Sequence, residues 1–271
     1  MVSPVRIKGE TGTSSTSTPR TVIEVNSPAG VGFTLAGERN QPAFIIDGTL
    51  SGFEGSAEWS FVESVTKYGD RRVGWKIPAA ESSFEFGLRD KSGVSDLYRL
   101  FRKAFADGSI VSVRSYGGVF HSRIEGAMFG DVTSDLSRLR FAQGKVDFRR
   151  PDGCWFGEVE EFTGTTSVSV DGDYPLSPSC RLRWDGTAST VKFPSGVAVT
   201  FPELGSPRSI NLDYGMSAQV TREDGSVDTS VWSGLQGKLF GVTLEPNVPT
   251  DWELSAGMTL EVTPRYLSPW R

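Results

Sequence analysis

The sequence predicts a mainly β protein in two units, with one α-helix inside the first. Three observations carry this. Short stretches of alternating apolar and polar residues recur along the chain, at about 8–12 residue spacing in the second half. Gly (31) and Pro (15) are as frequent as a turn-rich β protein requires. A single segment, SDLYRLFRKAFADG between Ser95 and Gly108, abandons the two-residue period. Its Leu97, Leu100, Phe101, Ala104 and Phe105 fall at i, i+3, i+4, i+7 and i+8, one apolar stripe on a 3.6-residue period. Gly108 stands where a left-handed cap would close that helix. At 271 residues the chain is long for one hydrophobic core, so two domains are expected.

Residues 1–19 contain the polar, low-complexity run TGTSSTSTP and predict a flexible N-terminal arm that could order on a neighbouring subunit. The first structured unit is expected over residues 20–157. Its strands are RTVIEVNSP, GVGFTLAG, AFIIDG, RRVGWKIPA and SFEFGLRD. Residues 48–70 are Gly-rich and irregular, and read as a long functional loop. After the helix, SIVSVRSYGGVFHSRIEGAMF is a hairpin turning at Gly117-Gly118, and LRFAQGKVDFRRP is a strand ending at Pro151. PDGCWFGE, with turn residues and an anchoring Trp155, marks the boundary.

Residues 158–271 are expected to form a second, all-β unit. SVSVDG, CRLRWDG, TVKFP, AVTFP, SINLDY, AQVTRE, KLFGVTLEP, DWELSAG and MTLEVTPRYL are its short strands, and Asp224-Gly225 is a tight hairpin turn.

Composition excludes more than it identifies. A formal net charge of −5 argues against a dedicated nucleic-acid binder, but is compatible with DNA passing a non-adhesive channel. No apolar run approaches a membrane span, and MVSPVRIKGETG lacks the core of a signal peptide, so folding in a cytosol is expected. Cys154 and Cys180, the only cysteines, are too few for a disulfide framework and read as small buried hydrophobes.

His121 is the sole histidine and sits in phase with Arg123 and Glu125, on what reads as an exposed polar strand face. Neither a G-x-S-x-G elbow, a C-x-x-C or H-E-x-x-H metal motif nor a phosphate-cradling Gly loop is present. The reading therefore assigns no catalytic, cofactor-binding or metal-ligating residue. Glu158, Glu160, Glu161 and Glu253 are the carboxylates that glycoside hydrolysis could draw on, and the Trp residues could stack on sugar. A carbohydrate-binding or glycan-processing β protein is thus the alternative reading. The basic pairs Arg71-Arg72 and Arg149-Arg150 are solvated strand ends or subunit contacts.

The order of these pieces resembles the distal tail protein family of long-tailed, non-contractile phages, and within it the minor tail proteins of actinobacterial phages. RTVIEVNSPAGVGFTLAG, RRVGWKIP, the helix DLYRLFRKAF, IVSVRSYGGVFHSRIEG, VDFRRPDGCWFGE and the segment from REDGSV to RYLSPW carry the resemblance. Gly153-Cys154, standing between Pro151 and Trp155, departs from the family junction.

The resemblance implies a first domain like tail-tube proteins, a β-sandwich or barrel with a flanking helix, and a galectin-like β-sandwich after it. It implies a non-enzymatic homo-hexameric ring in the virion tail tip, assembled in the bacterial host cytoplasm without membrane insertion. That ring would join the tail tube protein to the tail-tip hub, with the tape measure protein and peripheral adhesins as further partners and DNA passing through its channel. A closing ring needs a heterologous contact, for which residues 48–70 and the arm are the candidates. Galectins hold sugar with a His-x-Asn-x-Arg strand. The only histidine here lies in the first unit, so the second is expected to be a docking module and not a lectin.

Overall fold

A computed structural model describes residues 21–37, 40–63, 70–116, 118–132, 136, 139–213, 218–239 and 242–270. The predicted arm, residues 1–19, and Gly117 of the hairpin turn lie outside them. The first unit runs β1 (Val22–Asn26), β2 (Gly32–Ala36), β3 (Ala43–Ile45), β4 (Glu58–Glu63), β5 (Asp70–Lys76), β6 (Ala80–Arg89), α1 (Ser95–Ala104), β7 (Ser109–Ser115), β8 (Gly118–Phe129), β9 (Phe141–Arg150) and β10 (Trp155–Phe156).

Its sheet has the order β2-β1-β7-β8-β9-β6-β3, antiparallel throughout. The end strands β2 and β3 lie alongside each other without a hydrogen-bonded ladder, so the sheet curls into a nearly closed barrel. Alternation decides what faces inward. Phe84, Phe86 and Leu88 of β6 and Ala142, Val146 and Phe148 of β9 are buried, while Glu85 and Lys145 between them stay outside.

The helix lies against this core as its apolar residues demand, but its buried stripe is rotated from the expected one. Phe101 is fully buried, with its ring 4.6 Å from Phe86, 5.1 Å from Phe105 and 5.5 Å from Phe33. Val94 and Ala104 are buried too, and Leu97 and Tyr98 pack on the same core. Leu100 is 41% exposed. It sits about 100° round the helix from the centre of that stripe, so counting it as a core residue was wrong. Gly108 has φ +81° but does not cap α1. The helix ends at Ala104, and Gly108 instead turns the chain into β7, its N–H donating to the Ile124 carbonyl.

Residues 48–70 are not simply a loop. Within them Glu58–Glu63 form β4, which pairs with β5 as a two-stranded ribbon separate from the barrel. Residues 64–69 lie outside the described residues.

The second unit runs β11 (Glu160–Phe162), β12 (Thr165–Val168), β13 (Ser179–Trp184), β14 (Ser189–Lys192), β15 (Ala198–Phe201), β16 (Arg208–Asn211), β17 (Val220–Arg222), α2 (Thr229–Leu235), β18 (Thr250–Leu254), β19 (Met258–Thr263) and β20 (Arg265–Tyr266). Two sheets, β11-β19-β13-β16-β17 and β12-β18-β14-β15, enclose a core in which Trp184 meets Phe201 at 5.3 Å and Trp252 meets Phe193 at 5.4 Å. The Asp224-Gly225 turn forms as the sequence indicates, with the Gly225 N–H donating to the Arg222 carbonyl.

Two expectations fail here. The unit is not all-β, because α2 follows that hairpin. KLFGVTLEP is not a strand: among its described residues, Val242 makes only an isolated bridge to Asp213.

Asp228 explains α2. Its side chain accepts from the Ser230 hydroxyl (2.8 Å) and the Val231 N–H (3.4 Å) at the helix start, and pairs with Arg208 (2.8 Å) and Arg222 (3.3 Å). The Ser230 bond and these partners pull its pKa down to about 2 from 3.8. A depressed carboxylate stabilises the fold above its unfolded pKa, and that contribution is lost as pH falls through the folded value. Thermal stability is therefore expected to drop between about pH 4 and pH 2. Asp228→Asn should be less stable at pH 7 and show a shallower acid decline. A parallel decline in both proteins would refute the assignment.

Candidate functional site

The chemistry-bearing residues do not converge. Glu161 reaches Arg183 (3.6 Å) on the five-stranded sheet, while Glu253 pairs with Lys192 on the four-stranded sheet, so these carboxylates belong to opposite layers of the sandwich. Glu160 has its pKa raised, first by burial and then by Asp171. His121 is not on an open face. It is half-buried beside Phe156 of β10, and its Nδ1 lies 2.8 Å from Ser112 Oγ. Burial lowers its pKa, against the opposing pull of Glu158 and Glu24. Cys154 and Cys180 are buried and unpaired, with burial raising their thiols to about 11 and about 12. Among the described residues no group of His, Cys, Asp and Glu could hold a metal ion, and no helix is long and apolar enough to cross a membrane.

What does converge is the junction between the units. Gly153 has φ +63°, and a Cβ there would meet the Pro78 carbonyl oxygen at 2.0 Å. Glycine is needed for this close approach, and the Gly153-Cys154 departure is thereby a tight turn. It delivers Trp155 into the first core, where the indole N–H donates to the Phe53 carbonyl at 2.6 Å.

Arg150, read from sequence as a solvated or intersubunit residue, is completely buried. Its Nε donates to Ser82 Oγ (3.0 Å) and its Nη2 to the carbonyls of Gly52 (2.9 Å) and Phe53 (3.1 Å), with the guanidinium 4.7 Å over the Trp155 ring. Burial lowers its pKa to about 10. Arg149, one residue away, is exposed and lies 3.8 Å from Glu81. The strand period separates the two fates.

The chain then returns to this junction at its far end. β20 pairs with β10, which pairs with β8, so the last strand joins the first unit's sheet across the expected boundary at residues 157 and 158. Tyr266 enters the first core at 5.1 Å from Phe120, and Trp270 stacks on Phe53 at 6.1 Å.

The exposed counterpart of this tied junction is the β4–β5 ribbon. Phe61 (56%), Val62 (54%), Val73 (57%) and Trp75 (42%) are open to solvent on one two-stranded element. Isolated ribbons are marginal in water, and contiguous exposed apolar patches mark interaction sites. At its root Trp59 stacks on Tyr174 of the second unit at 6.3 Å, and Arg72 lies 4.5 Å over Trp59 while donating to the Tyr174 hydroxyl at 3.2 Å. Three of the Trp residues expected as candidates for sugar stacking are withdrawn from the surface. Trp155, Trp184 and Trp252 are core residues, and the outer face of β13 and β19 carries the Arg183–Glu261 pair (3.1 Å).

No protein-family model and no curated protein matches the sequence. Among solved structures, the fold matches the Dit protein of phage SPP1, described as a paradigm of hub adsorption apparatus in phages infecting Gram-positive hosts. That match has 16% identity over 82% of this chain and 93% of that one, with a TM-score of 0.52. The baseplate of phage P2 in its activated conformation matches with calcium and with strontium. Both have 10% identity and a TM-score of 0.52 over 90% of this chain, and cover 98% and 97% of the respective baseplate chains. The mainly β fold, a barrel-like unit followed by a sandwich, is therefore one shared with a phage hub adsorption protein and a phage baseplate chain.

Proposed function

We propose that the chain is a non-enzymatic distal tail protein of a phage, forming a homo-hexameric ring that joins the tail tube to the tail-tip hub. The observation that carries this reading is the extent of the fold match, which spans both units and nearly the full length of the phage proteins. Residues 20–157 are the ring-forming domain and 158–271 the outward docking domain, with the tape measure protein and adhesins as further partners. Its place is the virion tail tip, after assembly in the host cytoplasm. The placement of Glu161 and Glu253 on different sheets of the sandwich favours a connector over a glycan-processing enzyme.

The ribbon supplies the apolar contact that a heterologous ring requires. Native mass spectrometry and negative-stain images of the protein mixed with its tube and hub partners should show rings of about six copies around a central hole. Val73→Glu should abolish them, while Met128→Glu, also on the surface, should not. Rings unaffected by Val73→Glu would remove the ribbon from the contact, and a monomer under all these conditions would refute the ring.

A further inference from the structure

We propose that the cleft where the two units meet binds a short saccharide. The cleft has a volume of about 360 Å3 and is walled by the ribbon root (Trp75), the junction (Asp152, Phe156) and the second unit with its returning strand (Ser177, Thr243, Arg265). That volume lies at the lower end of the ~300–1,000 Å3 typical of ligand clefts, and the meeting of two domains is a preferred place for them.

The chemistry of the walls selects the ligand. Trp75 offers an open indole face at the rim, and a sugar ring lays its C–H face on such a surface while its hydroxyls project around the edge. The polar groups waiting for those hydroxyls act in both senses. Asp152 carries an accepting carboxylate and Thr243 a hydroxyl, and neither side chain has a hydrogen-bond partner among the described residues. Arg265 is fixed in the wall by donating Nη1 to the Ser177 carbonyl (3.1 Å) and Nη2 to Asp213 (2.8 Å).

Other occupants fit less well. A purely apolar molecule would strip water from the exposed Asp152 carboxylate without replacing its hydrogen bonds. An extended peptide is gripped through a row of free main-chain groups, whereas this wall is built of side chains from several separate segments. The site is distinct from the sandwich faces, where galectin-type binding would fall. The inference does not rest on the ring, which could form with the cleft empty.

The test is saturation-transfer difference NMR on the full-length protein. The probes are glucose, galactose, rhamnose and N-acetylglucosamine, with disaccharides of each, at about 10 mM. Transfer to the ring C–H protons of at least one probe is expected. Trp75→Ala should weaken that binding by about tenfold or more, Trp75→Phe should keep part of it, and Met128→Ala should leave it unchanged. If Trp75→Ala does not fold, Asp152→Asn and Thr243→Val carry the test, each with an expected loss of about threefold. The proposal is overturned by no transfer to any probe, by transfer that survives these cleft variants, or by a partner protein's side chain filling the cleft in the assembled tail tip.

Discussion

Phe101→Asp is expected to unfold the first unit, while Leu100→Asp, one residue away, leaves it nearly intact. Phe101 is fully buried and touches the rings of Phe33, Phe86, Phe105 and Phe129. Removing such a ring alone costs about 3–5 kcal/mol, and placing an unpaired carboxylate there adds a desolvation cost of several kcal/mol more. The sum approaches the ~5–15 kcal/mol that holds a typical domain together. Leu100 is largely in water, so its substitution should stay within about 1 kcal/mol. Urea denaturation followed by circular dichroism separates the two. Equal losses would mean that the helix docks by the face read from the sequence.

Arg150→Ala carries the second large effect, with an expected loss of about 3–5 kcal/mol, because three hydrogen bonds from a charged donor go at once and a large buried side chain leaves a cavity. Arg150 binds two carbonyls of the Gly52–Phe53 segment and the Ser82 hydroxyl without any carboxylate partner. Its loss would leave each carbonyl with a single donor, Ser82 Oγ (2.7 Å) for Gly52 and the Trp155 indole for Phe53. Arg150→Lys should recover only part, since a single ammonium cannot reproduce a planar fork spanning separate acceptors. Arg149→Ala should change stability by no more than about 0.5 kcal/mol. Thermal denaturation of the three variants tests this. Full rescue by lysine would show that charge, and not the fork, holds the junction.

Much of the fold was legible because it rests on local patterns. The alternating strands, the single helix of the barrel unit and the Asp224-Gly225 turn all write their period or turn chemistry directly into neighbouring residues. Where reading failed, the deciding partner lay far away in sequence. Leu100 and Tyr98 both fit a helical stripe, and only the positions of Phe86 and Phe129 fix which one turns inward. Arg150 looks like its neighbour Arg149 until the chain brings Gly52 and Phe53 over it. Residues 58–63 hid a strand because only Trp59 and Phe61 keep the two-residue period, the adjacent Val62 breaks it, and the ribbon faces solvent and not a core. The α2 helix does leave a signal, Asp228 before Thr229-Ser230, which fits an N-cap.

The site was less legible than the fold. A cleft walled by Trp75, Asp152, Thr243 and Arg265 gathers residues from across nearly the whole described chain, and no spacing rule connects them. The resemblance to distal tail proteins was carried by the order of many weak segments, and the fold match agrees with that order at an identity where single motifs fade.

The central claim is that this chain forms the ring between tube and hub. Cryo-electron microscopy of the intact tail tip tests it most directly. The account predicts a ring of about six copies directly below the tube, with the barrel-like sheets lining the channel, the sandwiches outside and Phe61 and Val73 of each ribbon buried against another copy, while Trp75 at the ribbon root stays open. A map that places the chain outside the tube axis, or leaves Phe61 and Val73 facing solvent in the assembled particle, would contradict it.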